Sequence, residues 1–243
     1  MPYRRLPKTD LSRIKALQKA VSMEGYKENG QLVLSYQTIR DAQQMLSKFR
    51  YSQRQYQQYY DQYIATGQDY KKDAAVARLY VSHFIQVLNM TILRGELRND
   101  IKPGYGLDPE SNALPSLNTD KDLIEWGKKI IDGEEKRIQR GGVPIYNPNI
   151  AKVKVHYSIF AEHYYSINTY KQNSEKHRIE LVQMRPLIDD LLLDLWNQVE
   201  AFYADCPLSI RIERGAKFGL IYYLRDTEKK QIEAEKLQSR LDF

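Results

Sequence analysis

Cysteine is nearly absent from this chain of 243 residues, which contains only Cys206. A single thiol excludes an intramolecular disulfide framework. Proline and glycine are also scarce, with 9 and 12 residues, and the long stretches without either argue against an all-β sandwich. No window reaches the ~18–20 uninterrupted apolar residues of a membrane span, and no apolar core follows the first charged residues as in a secretory signal. We therefore expect a helical globular protein in the cytoplasm.

Several motifs for catalysis and cofactor binding are missing as well. The sequence has no His-Glu-x-x-His, no Cys-x-x-Cys and no P-loop motif, and no glutamate is followed by a histidine three residues later, as di-iron bundles require. His156 and His163 lie on one helix face, but two ligands are too few for a metal site. Cys206 has no histidine partner nearby in the sequence, which favours a structural thiol. The sequence thus leans towards a protein without catalysis, metal or cofactor, although an enzyme stays open.

Charge is distributed unevenly along the chain. The net charge is +6, but residues 1–100 carry 16 basic and 9 acidic side chains, whereas residues 101–243 carry 21 and 22. A uniformly basic nucleic-acid-binding protein would not show this asymmetry, but a protein with one basic face in its first half would.

Apolar residues recur at helical spacing through the first half of the chain. Asp10 is the predicted cap of a first helix. Two long helices follow over about 36–66 and 70–97, and we expect them to form an antiparallel hairpin with its turn at Gly67. A connector rich in proline and glycine covers about 99–119.

The second half shows a similar succession of helices. The predicted elements are a helix over 120–140 capped by Asp120, a helix opening at Asn147-Pro148, a helix to Tyr203 that Pro186 kinks or restarts, and a helix from Pro207 to about Arg225. Residues 227–243 are charged with thinly spaced apolar positions, namely Ile232, Leu237 and Leu241. They form either a polar helix that docks on a partner or a frayed tail.

The order of elements occurs twice, at an offset of 112 to 114 residues. Leu11 matches Leu123 and Gly30 matches Gly142 at 112 residues, and a Tyr-Gly-Leu triplet matches a Phe-Gly-Leu triplet at 113. These matches predict a tandem duplication.

We therefore predict an all-α fold, a tandem-duplicated bundle of six to seven helices with internal pseudo-twofold symmetry. Repeat 1 covers 1–112 and repeat 2 covers 113–226. The most apolar segments, 70–97 and 187–204, are expected to pack together at the centre.

Four stretches of the sequence resemble a group of bacterial proteins of unknown function, chiefly from Bacteroidetes. These stretches are Pro2–Asp10, Ser82–Met90 with Arg94-Gly-Glu96, the segment Trp126-Gly…Gly133-Glu134…Arg137, and Phe218–Arg225. The resemblance covers most of the chain. It implies a bacterial, intracellular protein but no activity, cofactor or site residue.

A set of polar residues interrupts the two most apolar segments. Its members are His83, Asn89, Arg94, Glu96, Trp196, Asn197 and Glu200. Polar groups that are buried need hydrogen-bond partners, because each unsatisfied group costs ~1–3 kcal/mol. The set therefore forms either a hydrogen-bonded seam that fixes helix register or a pocket between the two repeats.

The N-terminal segment is rich in cations. Its basic residues are Arg4, Arg5, Lys8, Arg13, Lys15 and Lys19. They either contact phosphate, with Arg4, Arg5, Lys8 and Arg13 as the candidates, or form a solvated helix face. A tyrosine-rich run over 51–63 has the spacing of a packed helix stripe, which we favour over base stacking.

Together these observations favour a non-catalytic cytoplasmic module for interaction or scaffolding, with a protein partner or self-association. One alternative is a nucleic-acid-binding protein that uses the basic N-terminal segment. The other alternative is a small-ligand-binding protein with a pocket between the repeats.

Overall fold

The computed structural model describes the backbone of residues 2–241 and the side chains of residues 2–235. Most of this part of the chain is α-helical, so the all-α class is confirmed. The helices are α1 (Asp10–Ser22), α2 (Tyr36–Leu93), α3 (Asp120–Gln139), α4 (Ile150–Phe202), α5 (Leu208–Lys217) and α6 (Asp226–Leu241), with a 3₁₀ segment at Asn99–Tyr105. Four two-residue strands pair antiparallel as β1 (Tyr3–Arg4) with β4 (Tyr222–Tyr223) and β2 (Lys27–Glu28) with β3 (Gln31–Leu32).

The predicted hairpin turn at Gly67 is wrong, because α2 is one helix of 58 residues. No proline lies within α2, and glycine inside a helix costs only about 1 kcal/mol relative to alanine. Ala74 and Ala77, which follow Gly67, are buried in a hydrophobic core. Tertiary packing therefore outweighs the weak local signal for a turn.

Helix α4 likewise runs through Pro186 without restarting, over 53 residues. Proline has no N–H group, so the carbonyl of Val182 lacks its helical donor. Leu181 and Ile188 on either side of Pro186 are 1% and 0% exposed. Their burial favours continuation of the helix across this defect.

Two of the predicted helix starts are displaced by one residue. The side chain of Thr9, rather than Asp10, caps α1, and Thr119, rather than Asp120, caps α3; each accepts a hydrogen bond from the backbone N–H three residues later. Asp10 and Asp120 occupy the first helical position, where a carboxylate interacts favourably with the helix dipole. At the other end of the chain, α5 ends at Lys217 instead of Arg225 because Gly219 has a φ of +88°.

The chain divides into two compact units. Unit 1 contains the residues up to 58 and those from 174 onwards, and unit 2 contains 59–173. Each unit combines segments from both halves of the sequence, so the units do not coincide with the predicted repeats 1–112 and 113–226. The duplication itself stays a prediction.

Each unit has its own hydrophobic core. The core of unit 1 includes Leu17, Phe49 and Trp196, whereas the core of unit 2 includes Phe84 and Phe160. The apolar segments 70–97 and 187–204 thus contribute to different cores instead of one shared centre. The reason is that α2 does not fold back at position 67, so its second part packs with α3 and the start of α4 within unit 2.

Helix α6 covers most of the predicted polar tail. The backbone N–H of Ser209 in α5 donates to the carboxylate of Glu235 at 2.8 Å, which connects α6 to the start of α5. The side chains of Leu237 and Leu241, and residues 242–243, lie outside the described residues.

Helix α2 contains one 18-residue window that is long and apolar enough to cross a membrane. One such helix is weak evidence for membrane insertion, because core helices of soluble proteins meet the same criterion. Val81, Phe84 and Leu88 of α2 are fully buried in the core of unit 2.

Candidate anion-binding cavity

The N-terminal segment is attached to unit 1 through β1. Arg4 lies opposite Tyr222 in the β1–β4 ladder, and the backbone N–H of Arg5 donates to the carbonyl of Ile221 at 2.7 Å. A ladder of two residues is marginal by itself. Side-chain contacts must therefore supply much of the attachment.

Arg4 supplies these contacts by reaching α4. Its Nε donates to Oε1 of Glu200 at 3.1 Å, its Nη2 forms an ion pair with the other carboxylate oxygen, and its Nη1 donates to Oδ1 of Asn197 at 2.8 Å. The hydroxyl of Tyr222 also donates to Glu200, at 2.6 Å. The carboxylate of Glu200 therefore holds β1 and β4 together.

The pKa of Glu200 reflects this environment. Burial by itself raises the pKa of this carboxyl, but the hydrogen bonds from Arg4 and Tyr222 outweigh burial and lower it below its ordinary value. Burial and the same contact raise the pKa of the Tyr222 hydroxyl. At neutral pH Glu200 is therefore ionised and neutralises Arg4.

A cavity of about 620 Å³ opens beside this cluster within unit 1. Its wall combines the N-terminal segment, one face of α1, the residues around β4, and Trp196. The lining residues are Arg4, Arg5, Leu6, Pro7, Lys8, Thr9, Ser12, Lys15, Ala16, Lys19, Trp196, Gly219, Ile221 and Tyr223. The volume lies in the range of small-molecule sites, ~300–1,000 Å³.

Gly219 brings the chain before β4 against α1. A Cβ atom at this position would lie 3.0 Å from the carbonyl oxygen of Ala16, and the φ of +88° disfavours any other residue. Glycine at this position thus permits the close approach that forms one side of the cavity.

The lining of the cavity is strongly basic and contains no acidic residue. Among the described residues, no carboxylate forms an ion pair with Lys8, Lys15 or Lys19, and the Arg5 guanidinium lies 5.6 Å from the ring centroid of Tyr223. Arg5, Lys8, Lys15 and Lys19 are exposed along this lining, so their summed positive potential is complementary to an anion.

Trp196, one of the lining residues, has a buried indole N–H without a partner in the part of the chain that the structure describes. The residue is 1% exposed, and its indole Nε1–H has no hydrogen-bond acceptor among the described residues. A buried donor without a partner costs ~1–3 kcal/mol. Such groups are rare in native proteins.

The predicted phosphate-contacting residues have two different environments. Arg4, Arg5 and Lys8 line the cavity, but Arg13 does not. The side chain of Arg13 instead reaches α4, where it makes two hydrogen bonds of 2.8 and 2.7 Å to the carboxylate of Asp189. Arg13 therefore joins α1 to α4 and lies outside the cavity lining, and its contact with phosphate stays a prediction.

The predicted polar set is divided between the units, so neither unit contains a complete seam or pocket made from it. Trp196, Asn197 and Glu200 lie together on α4 in unit 1, next to Arg4. The other four residues belong to unit 2: His83 is exposed, Arg94 and Glu96 form an exposed ion pair, and Asn89 Nδ2 donates to the carbonyl of Asn112 at 3.2 Å.

Unit 2 contains a buried polar cluster that the sequence analysis missed. Glu134 is fully buried and accepts hydrogen bonds from Tyr105 at 2.5 Å, from Arg137 at 2.8 and 2.7 Å, and from the N–H of Ile145 at 3.1 Å. Burial raises the pKa of Glu134, but these donors lower it overall. Because Glu134 is bonded to these internal donors, the cluster is structural. The glycine at position 133 is the one sequence feature next to this cluster that could have indicated close packing. A Cβ atom there would lie 2.6 Å from the Tyr105 ring.

A second arrangement in unit 1 resembles a catalytic set only in composition. The hydroxyl of Ser52 and the Nδ1 atom of His177 each lie 2.8 Å from the same carboxylate oxygen of Glu180. A nucleophile-activating triad places the imidazole between the hydroxyl and the carboxylate. Here the carboxylate occupies the middle position.

The described residues also contain no group of three or more His, Cys, Asp or Glu placed to hold a metal ion.

Comparisons with known proteins give no relative from which a function could be transferred. No protein-family model matches the chain. No curated protein and no solved structure matches it either. A functional proposal therefore rests on the geometry of the cavity in unit 1.

Proposed function

We propose that this protein binds a small anionic ligand in the cavity of unit 1. One observation carries the proposal: five basic residues and no acidic residue line a cavity of about 620 Å³. Arg4 is neutralised by Glu200, which leaves Arg5, Lys8, Lys15 and Lys19 for the ligand.

Apolar side chains in the same cavity favour an organic ligand. Leu6, Ile221 and Tyr223 are 47%, 52% and 57% exposed, although they lie beside the basic residues. Ligand sites commonly combine apolar walls with a few polar groups that fix orientation. An organic anion would cover these side chains and pair with the lysines at once.

This proposal departs from nucleic-acid binding, which also uses the basic N-terminal segment. A protein that binds duplex DNA presents its cations along an exposed surface that follows the phosphate backbone. The exposed cations of this segment border a cavity of small-molecule size and lie beside apolar side chains of the same cavity. The geometry thus favours a small anion over a duplex.

A role in protein interaction is the second proposal. Leu79, Met90 and Leu93 of α2 are 64%, 58% and 70% exposed, which is unusual for so many large apolar side chains on one helix segment. Light scattering after size exclusion would detect self-association through these residues. A cytoplasmic location and a bacterial source also stay predictions.

The ligand proposal is tested by thermal unfolding with hexyl phosphate and hexyl diphosphate at low salt. A ligand at 100 times its Kd stabilises the native state by about 2.7 kcal/mol, which raises Tm by roughly 5–10 °C in a protein of this size. We expect at least one of the two compounds to give such a shift, and K15Q/K19Q to abolish it.

The matched control is K27Q/K176Q, which removes two exposed lysines of unit 1 that lie outside the cavity. This control should keep the full shift. The proposal is wrong if neither compound stabilises the wild-type protein, or if K15Q/K19Q and K27Q/K176Q reduce the shift equally.

A further inference from the structure

We infer that the ligand of this cavity is an organic diphosphate, with two linked phosphates on an apolar body. The inference rests on the proposed function and adds the chemical class of the ligand. Three features of the cavity carry it: the number of uncompensated cations, their distribution along α1, and the apolar wall.

The number of cations exceeds what one phosphate can neutralise. Once Glu200 has neutralised Arg4, four cationic residues remain, namely Arg5, Lys8, Lys15 and Lys19. A phosphate monoester carries about −1.5 to −2 charges at neutral pH. A second phosphate would pair with cations that a single phosphate leaves uncompensated.

The cations are also spread along the helix axis. Lys15 and Lys19 are separated by about 6 Å along α1, and Ser12 and Lys19 by about 10 Å, at 1.5 Å per residue. Lys8 precedes the helix and extends the row further. Convergence of all these side chains on one phosphate would cost rotamer entropy at each lysine. Two linked phosphates would let each group use its nearest cations.

The apolar side chains of the cavity lining argue against inorganic pyrophosphate as the ligand, because pyrophosphate would not cover them. Leu6, Ile221 and Tyr223 would remain exposed beside it, and most of the 620 Å³ would hold only water. An apolar body attached to the diphosphate would cover this wall and gain affinity from the burial.

The ion pair between Arg4 and Glu200 makes Arg4 a positioning residue in this site. Its guanidinium is bonded to Glu200 and Asn197 and fixes β1, so that Arg5 and Lys8 face the same cavity as Lys15 and Lys19. The ligand contacts are therefore assigned to the four uncompensated cations.

The test is isothermal titration calorimetry with hexyl diphosphate, hexyl phosphate and pyrophosphate at low salt. One charge-assisted contact is enough for about a tenfold change in affinity. We expect hexyl diphosphate to bind at least tenfold more tightly than either of the other two compounds. In K15Q/K19Q the affinity for hexyl diphosphate should fall close to the affinity for hexyl phosphate. In K27Q/K176Q neither affinity should change.

The outcomes separate this inference from the proposed function. If hexyl phosphate and hexyl diphosphate bind equally, and both weaken in K15Q/K19Q, the anion site stands but the diphosphate inference is overturned. If pyrophosphate binds as tightly as hexyl diphosphate, the inference that the ligand carries an apolar body is overturned. If none of the three compounds binds, both proposals fail. Tight, salt-dependent binding of a short single-stranded oligonucleotide in the absence of hexyl diphosphate binding would overturn both in favour of nucleic acid.

Discussion

The ion pair between Arg4 and Glu200 gives the sharpest stability prediction. Arg4→Met removes the hydrogen bonds to Glu200 and Asn197 while keeping most of the side-chain volume. The side chains of Arg4 and Glu200 are 24% and 14% exposed, so the pair lies between a surface ion pair, worth ~0–1 kcal/mol, and a fully buried one, whose disruption costs ~3–5 kcal/mol. We expect a loss of about 2 kcal/mol in the free energy of unfolding at neutral pH.

The effect should depend on pH with a defined sign. Because the folded protein lowers the pKa of Glu200, the contribution of this carboxylate is complete above its unfolded pKa and is lost as pH falls through its folded pKa. Urea unfolding of wild type and R4M should therefore differ by about 2 kcal/mol at pH 7, and the difference should shrink as pH falls below ~4.3, the ordinary pKa of a glutamate.

A double-mutant cycle with Glu200→Gln isolates the pair. The coupling energy between R4M and E200Q should be about 1–2 kcal/mol, as for neighbouring charged groups. Arg94→Met is the matched control, because the Arg94–Glu96 pair is exposed in unit 2 and should contribute less than about 1 kcal/mol. A loss in R4M that stays the same at pH 7 and pH 3, or that does not exceed the loss in R94M, would refute the reasoning.

Two further substitutions test the close approach in unit 1 and the buried cluster in unit 2. Gly219→Ala places a Cβ 3.0 Å from the carbonyl oxygen of Ala16 at a φ of +88°, and chemical denaturation should show a loss of roughly 1–3 kcal/mol. Glu134→Gln leaves the partly buried Arg137 without its counter-charge, and urea unfolding should show a loss of about 3 kcal/mol. That loss should shrink at low pH, because the folded pKa of Glu134 is lowered.

Each of these variants has a matched control. Gly30→Ala introduces the same kind of strain at a φ of +80° but has open space around its Cβ, so it should cost less than G219A. Glu125→Gln removes an exposed partner of Lys129 and should change stability by less than about 1 kcal/mol. If G219A and G30A lost equal free energy of unfolding, or if E134Q and E125Q did, the account of the corresponding site would be contradicted.

The sequence predicts the helices well where the evidence is local. Apolar spacing and capping residues place α1 and α3 within one residue of their observed starts. The predicted turn at Gly67 is wrong and the helix does not restart at Pro186, because both positions lie in long helices whose flanking residues are buried. The free-energy cost of an unfavourable residue at one helix position is smaller than the stabilisation from packing along the whole helix face.

The candidate site was predictable only in part. The basic N-terminal segment is visible in the sequence, but its proximity to Trp196 and Glu200 depends on contacts across more than 190 residues. The ion pair between Arg13 and Asp189 likewise depends on the packing of α1 against α4. In the sequence, Gly219 stands out only within the Phe-Gly-Leu triplet and the stretch Phe218–Arg225, whereas its role at the cavity wall depends on its φ of +88° and its contact with Ala16.

The indole N–H resonances of the two tryptophans offer the most direct test of the anion cavity. Trp196 is a lining residue of the cavity and has an indole N–H without a partner among the described residues, whereas Trp126 belongs to unit 2. A W126F variant assigns the two signals. Addition of hexyl diphosphate should shift the Trp196 resonance, leave the Trp126 resonance in place, and have no effect on either in K15Q/K19Q. An unmoved Trp196 resonance at a concentration that saturates binding, or a shift of Trp126 alone, would contradict the assignment of this cavity as the ligand site.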